Sequence, residues 1–293
     1  MIVSRVHGGL GNQMFQYALG RRLALHHGME LLLDLSFFDL KDRTHTPRPF
    51  ELDVFNVKYR RAEVAELRPF LQARASRIRR VRDRLFPSLA NHPSFTEQGF
   101  GFDPRALTLP DNIYLDGYWQ SENYFKDIEA ALRADFTAAG PPNGANTVMA
   151  DRIRGANAVS IHVRRGDYAN DPTTHAHHGL CDHDYYVSAA QQTLRTHPDA
   201  AFFIFSDDAA WARENLRFDA PMTVVDHNNG LTSFEDMRLM SLCKHHIIAN
   251  SSFGWWGAWL NPDPTKMVIA PRQWFRDPGI DTRDLLPATW TRL

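Results

Sequence analysis

The sequence predicts an α/β protein of two halves, each a parallel sheet with helices on both faces. Three observations carry that prediction. Short apolar runs of strand length alternate with segments of helical period along most of the chain. A first strand, glycine turn, helix and second strand are complete by Leu35. One cluster of chain breakers, Ala138-Ala139-Gly140-Pro141-Pro142-Asn143-Gly144, divides the series near its middle. The halves are residues 1–140 and 145–293, and a single large α/β domain is the alternative.

Ile2–His7 reads as a buried strand that runs into Gly8-Gly9-Leu10-Gly11. From Asn12 to His27 the residues Met14, Phe15, Ala18, Leu19, Leu23 and Leu25 fall close to helical period, with Gly28 as a stop. Glu30–Leu35 is the next strand. Val64, Leu67, Leu71, Ala75, Ile78, Val81 and Leu85 recur at steps of three and four, an amphipathic helix ended by Pro87. Its other face carries arginines from Arg68 to Arg84, a solvated face by default and one that anionic lipid could also meet. Ile113–Leu115 is a strand leading into Asp116-Gly117-Tyr118-Trp119-Gln120-Ser121-Glu122, and a helix follows from about Asn123 to Phe136. Beyond the breakers, strands at Ala158–Val163, Ala201–Phe205, Met222–Val225, His246–Ala249 and Met267–Ala270 are expected. Helices at Tyr185–His197, Ala209–Leu216, Phe234–His245 and Gly254–Leu260 alternate with them.

Composition narrows the function. Hydrophobic residues at 43% and charged residues at 23% describe a globular chain rather than a disordered one. The net charge of −1 gives no whole-molecule field for nucleic acid, so an anionic ligand must be held locally. Two cysteines, Cys181 and Cys243, are too few for a disulfide scaffold and fit a reducing compartment. The N-terminus lacks a signal-peptide pattern, and no apolar run reaches the roughly 18–20 residues of a membrane span. A cytoplasmic protein is expected, with peripheral contact at an inner membrane face through Arg68–Arg84.

Four clusters could carry chemistry. His162-Val163-Arg164-Arg165-Gly166-Asp167-Tyr168 lies at the carboxyl end of a strand, where open α/β sheets bind ligands. Adjacent guanidiniums cannot point the same way there, so one can fork onto a phosphate while its neighbour pairs with Asp167. A purely structural Arg–Asp pair is the competing reading. Gly8 to Gln13 opens a helix after a strand, where backbone N–H groups can approach an anion, although a tight turn explains it equally well. Phe205-Ser206-Asp207-Asp208 offers a carboxylate to a base or ribose, or merely caps the following helix. Asn250-Ser251-Ser252-Phe253-Gly254-Trp255-Trp256 forms a second anion seat, its aromatics open to either core or ligand. The stretch from His175 to Asp184 reads as a loop, and its spacing matches no zinc pattern.

Taken together, the segments Gly8 to Ala18, Gly117 to Glu122, His162 to Tyr168, Leu239 to His245 and Asn250 to Leu260 resemble the α-1,2-fucosyltransferase family. Its H-x-R-R-x-D motif is shared with α-1,6- and protein O-fucosyltransferases. The resemblance implies a GT-B-like fold, two Rossmann-like domains facing a cleft, and inverting transfer from GDP-fucose without a metal. It implies that Arg164 binds the β-phosphate and stabilises departing GDP. His162 and Asp207 match guanine-side contacts, and Ser251, Ser252 and Phe253 match a segment that lines the nucleotide. Gly9, Gly11 and Asn12 would close over the diphosphate-fucose from the first half. Asp116, Glu122 and His7 are the candidates for acceptor binding or for the base. The implied acceptor is a galactoside or a lipid-linked oligosaccharide of bacterial surface polysaccharide. Asp182-His183-Asp184 has the D-x-D form of metal-dependent sugar transferases but lies outside the matched motifs.

Overall fold

A computed structural model of the protein describes residues 1–39, 48–75 and 94–293, without the side chains of residues 72–75, 167, 170, 172 and 173. The chain separates into two compact units, Met1–Thr137 with Arg283–Leu285, and Ala138–Thr282 with Leu286–Leu293.

In the first unit, β1 (Ile2–Arg5), β2 (Leu31–Asp34), β3 (Arg60–Arg61), β4 (Ser94–Thr96) and β5 (Ile113–Asp116) form a parallel sheet. The order is β3-β2-β1-β5-β4. Its inner strands are buried on both faces, which is why Leu31-Leu32-Leu33 and Ile113-Tyr114-Leu115 read as unbroken apolar runs. Helix α1 (Leu10–His27) lies against β1, and Ser4 Oγ donates to the Gln16 carbonyl. Helix α2 (Val64–Ala75) sets Leu67 and Phe70 against Val3, Leu32 and Tyr114. Arg68 is exposed on it, but most of the arginine-rich run expected to reach Arg84 falls outside the described residues.

The helix expected from Asn123 to Phe136 is interrupted. Two 3-10 turns, Glu122–Tyr124 and Lys126–Ile128, precede a short α3 (Glu129–Asp135). Ser121 Oγ accepts the Asn123 N–H, and Phe125 leaves helical geometry at φ −150° and ψ 5°. Tyr124 and Phe125 are both fully buried, so packing overrides the helical preference of the run.

The second unit holds β6 (Asn157–Val163), β7 (Ala200–Ser206), β8 (Met222–Val225), β9 (His245–Ile247), β10 (Val268–Ala270) and β11 (Thr291–Arg292). All pairings are parallel, in the order β11-β10-β9-β6-β7-β8. The chain winds outward from β6 to β8, then returns to β9 on the other side of β6. This is the doubly wound pattern, with its reversal between β6 and β9. Side chains alternate along β6. Val159, Ile161 and Val163 pack with Phe202, Ile204 and residues of α7 (His183–Thr196) and α8 (Ala209–Asn215). Ala158 faces the other way, towards α4 (Gly144–Arg154) and α9 (Phe234–Ser241), with Phe203, Phe205 and Phe253. Across the reversal Ser160 Oγ lies 2.8 Å from His246 Nδ1, and Asn261 Nδ2 lies 2.9 Å from His246 Nε2. Burial holds that imidazole far below its ordinary pKa, so it stays neutral between its two partners.

The stretch from His175 to Asp184, expected as a loop, is partly helical. Two short helices, α5 (Gly166–Asn170) and α6 (Pro172–His178), precede α7, and Asp182 caps α7 by accepting the Tyr185 N–H at 2.8 Å. A capping aspartate satisfies a helix end that would otherwise be unpaired. Among the described residues no group of three or more His, Cys, Asp or Glu could hold a metal. Among them, too, no helix is long and apolar enough to cross a membrane.

Candidate active site

In the second unit the reversal between β6 and β9 gathers the carboxyl ends of both strands, which carry His162 and Arg164 on one side and Asn250 to Phe253 on the other. His162 is buried, with its ring stacked on Phe253 at 5.6 Å. Gly254 belongs to α10 (Ser252–Trp259), and a Cβ there would lie 2.6 Å from His162 Nδ1, so only glycine lets the helix approach. Desolvation, then the nearby Arg164 charge, lowers the His162 pKa to about 3, and the ring is neutral at physiological pH. Its Nδ1 is buried without a hydrogen-bond partner among the described residues.

Arg164 and Arg165 diverge, as two neighbours on a turning backbone must. Arg164 Nη1 lies 2.8 Å from Asp207 Oδ2, and its guanidinium sits 5.3 Å from the Tyr168 ring centroid. The side chain keeps 21% of its exposure, so the charge reaches solvent at the strand end. Arg165 turns to Trp211 on α8, 4.1 Å from its ring centroid, with Asp208 3.6 Å away. The side chain of Asp167, the partner expected for one arginine, lies outside the described set. Asp207 is the partner described for Arg164, and its Oδ1 also accepts the Arg165 N–H at 2.8 Å. Asp208 caps α8 through the Trp211 N–H. The Asp207-Asp208 pair thus divides: one carboxylate fixes the arginine turn and the other caps a helix.

Ser251 caps α10 by accepting the Phe253 N–H, and no acidic residue stands in the helix's first turn. Asn250 is structural: its amide donates to the carbonyls of His178 and Trp274. Trp255, Trp256 and Trp259 are buried, which resolves those aromatics as core.

The first unit has its own reversal, between β1 and β5. Gly8 adopts φ +78°, a conformation that favours glycine, and the chain then enters α1 through Gly9. Gly9 offers no side-chain cap, and the first turn of α1 has no acidic residue. The loop after β5 meets this turn. Gln120 Nε2 donates to Asn12 Oδ1 at 2.8 Å, Arg5 pairs with Asp116 at 3.1 Å, and the Tyr118 ring stands edge-on to His7 at 4.7 Å. The structure therefore brings Gly9, Asn12, His7 and Asp116 to one set of strand ends. Glu122 lies farther along, in a 3-10 turn. Burial and Arg5 lower the His7 pKa to about 4, and Asp116 opposes them.

Three residues here have roles that the sequence alone did not assign, Gln13 and Gln16 within the matched motif and Glu97 outside it. Gln13 binds the glycine turn from inside, donating to Gly8 and Pro49 carbonyls and accepting from Glu51, while Gln16 accepts the His7 N–H. Their three-residue spacing on α1 was the signal available. Glu97, just after β4, accepts the Tyr118 and Trp119 N–H groups. Nothing local in the sequence marks it, because β4 is three residues long and only pairing with β5 defines it.

The geometry can be set beside known proteins. The family model described as glycosyl transferase family 11 matches residues 91–292. An α-1,2-colitosyltransferase of Escherichia coli is 33% identical over 299 residues, covering 100% of this chain and 99% of its own. The O-antigen biosynthesis glycosyltransferase WbnK of Escherichia coli is 31% identical over 99% of both chains. A galactoside 2-α-L-fucosyltransferase of Bos taurus, SEC1, is 30% identical over 50% of this chain and 42% of its own. Among solved structures, Arabidopsis thaliana FUT1 in complex with GDP superposes with a TM-score of 0.52 at 13% identity, covering 91% of this chain and 69% of that one. The fold is GT-B-like, two parallel-sheet α/β units in one chain. The protein is a member of glycosyl transferase family 11.

Proposed function

We propose that this glycosyltransferase moves L-fucose from GDP-fucose to the 2-hydroxyl of a galactose-type residue, with inversion, in bacterial surface polysaccharide synthesis. The observation that carries the reading is Arg164, a part-exposed guanidinium at the end of the central strand β6, held by Asp207 beside the reversal of the sheet. Breaking the sugar–phosphate bond places negative charge on GDP and positive charge on the sugar ring. A fixed guanidinium and backbone N–H groups can take up the first charge without reorganising during the reaction. His162, Ser251, Ser252 and Phe253 line the same strand ends and form the proposed nucleotide seat, with Asp207 setting the arginine's direction. Gly9, Gly11 and Asn12 form the proposed diphosphate-sugar contacts of the first unit. Asp116, His7 and Glu122 are the proposed acceptor-side groups, one of which takes the proton of the attacking hydroxyl. No metal takes part in this scheme, and Asp182 of the D-x-D triplet is already engaged as a helix cap.

The purified protein, given GDP-fucose and a β-galactoside in the presence of a chelator, should release GDP and form an α-1,2 linkage. Arg164→Ala should lower that rate roughly 10²–10³-fold, the loss typical of removing one transition-state donor. Undiminished turnover in that variant would refute the role of Arg164, and GDP binding without any turnover would indicate a non-catalytic nucleotide-sugar-binding scaffold. A second reading, transfer from another GDP-sugar, is favoured by the colitosyltransferase relative at 33% identity. Parallel assays with GDP-fucose and GDP-colitose decide between the donors.

A further inference from the structure

We propose that Glu97 is a positioning residue of the acceptor-side site, its carboxylate holding the loop of residues 117–120 in the shape that sets Tyr118 and Gln120 against the glycine turn. The proposal rests on the transferase reading above for its functional consequence and on the first unit alone for its geometry.

Glu97 Oε2 accepts the Tyr118 N–H at 2.6 Å, and Oε1 accepts the Trp119 N–H at 3.0 Å. Two successive backbone donors are thus satisfied by one carboxylate. Such convergence needs an unusual backbone, and Trp119 supplies it. At φ +58° it is the one non-glycine residue with positive φ among those described. Its indole is completely buried, stacked on Phe95, yet its Nε1 has no hydrogen-bond partner among the described residues. Gly117 leaves no room for a side chain, since a Cβ would lie 2.5 Å from Glu97 Cβ and 2.9 Å from Trp119 Cε2. Strained backbone and an unsatisfied buried donor persist where the surroundings enforce them, and they gather at functional sites.

The strained turn has a visible product. Tyr118 keeps 38% of its exposure with its ring edge-on to His7, and Gln120 reaches Asn12 in the first turn of α1. An exposed ring beside polar groups suits one face of a pyranose ring, apolar on its C–H side and hydroxylated at its rim.

The clamp requires two acceptor oxygens. A glutamine offers one, and its amide would confront a backbone N–H. A protonated carboxyl has the same defect. Desolvation raises the Glu97 pKa to about 7, against the lowering effect of its two N–H bonds. The titratable groups around it are Asp116 from β5, itself paired with Arg5, Tyr118 from the loop, and Tyr124 from the following 3-10 turn. Acidification through neutrality should therefore open the clamp.

Two measurements test this. In protein labelled with ¹⁵N-tryptophan, the Trp119 amide should titrate with a midpoint near neutrality, and the titration should vanish in Glu97→Gln. With GDP-fucose and p-nitrophenyl β-galactoside, Glu97→Gln should raise the acceptor KM about tenfold while moving the donor KM less than about twofold, as expected when positioning rather than donor binding is lost. The wild-type rate should rise from about pH 6 to about pH 8, and the variant's should stay flat. A wild-type Trp119 amide that does not titrate, or a folded Glu97→Gln protein with unchanged acceptor KM, overturns the proposal. If the variant fails to fold, the wild-type amide titration decides alone. If the wild type transfers no sugar, the transferase reading fails by itself. The amide titration and calorimetric binding of the galactoside to both proteins then decide the clamp.

Discussion

Asp207 illustrates what a single residue reveals only in three dimensions. The arginine cluster was legible because two guanidiniums at a strand end are a recurrent anion site. Its contact with Asp207 was not, because that contact depends on the pairing of distant strands. The parallel register sets Val163 opposite Ser206, and this brings the following residues, Arg164 and Asp207, side by side. His162 and Gly254 pose the same problem: each stands in a motif of its own, and their contact exists only because β6 and α10 meet at the reversal. Gly254→Ala should destabilise the protein by roughly 1–3 kcal/mol, the usual cost of overpacking, because the His162 ring is stacked on Phe253 and has little freedom to yield. Urea unfolding measures that cost, and a severalfold rise in the KM for the donor would tie the contact to the nucleotide seat.

The central strands were legible as short unbroken apolar runs, and α1 as a long apolar-rich segment between the glycine turn and Gly28. The edge strand β3 was not. Arg60-Arg61 contains no apolar residue, and β3 exists through main-chain pairing with Leu32 and Leu33. The pins between elements were also hidden. Tyr17 and Arg21 of α1 both reach Asp135 Oδ2 of α3, at 2.7 and 2.8 Å, and Tyr17 accepts the Lys58 N–H in turn. Asp135 is only 3% exposed, so this one carboxylate locks the helix that carries the glycine turn. Asp135→Ala would strand a guanidinium and a phenol in the interior, and a loss of about 3–5 kcal/mol is expected. Asp135→Asn, which keeps an acceptor, should cost less. Equal losses in the two variants, read from urea midpoints, would show that the carboxylate's charge, rather than its volume and hydrogen-bond acceptors, holds α1 in place.

Across the whole molecule, buried titratable groups pull stability in opposite directions. His7 and His162, with pKa values of about 4 and about 3, stay neutral while the unfolded chain takes up protons, so they erode stability as pH falls below about 6.5. Glu97 and Asp236, both raised to about 7 by burial, act inversely and erode stability as pH rises from about 4 towards 7. Each group contributes a slope of at most about 1.4 kcal/mol per pH unit. His245 and His246 join the first set and Glu51 and Glu235 the second, so stability should change little between about pH 4.5 and 6.5 and decline on further acidification, where the histidine effect persists. A steep rise across that interval, measured by urea denaturation, would mean that these carboxyls ionise normally. Chain connectivity has a consequence of a different kind. Asp284 of the returning Arg283–Leu285 segment accepts the Phe102 N–H at 3.1 Å inside the first unit. That acceptor is synthesised after five of the six strands of the second unit. On the ribosome, the earlier-made half must wait for the later one to emerge before its last hydrogen bond can form.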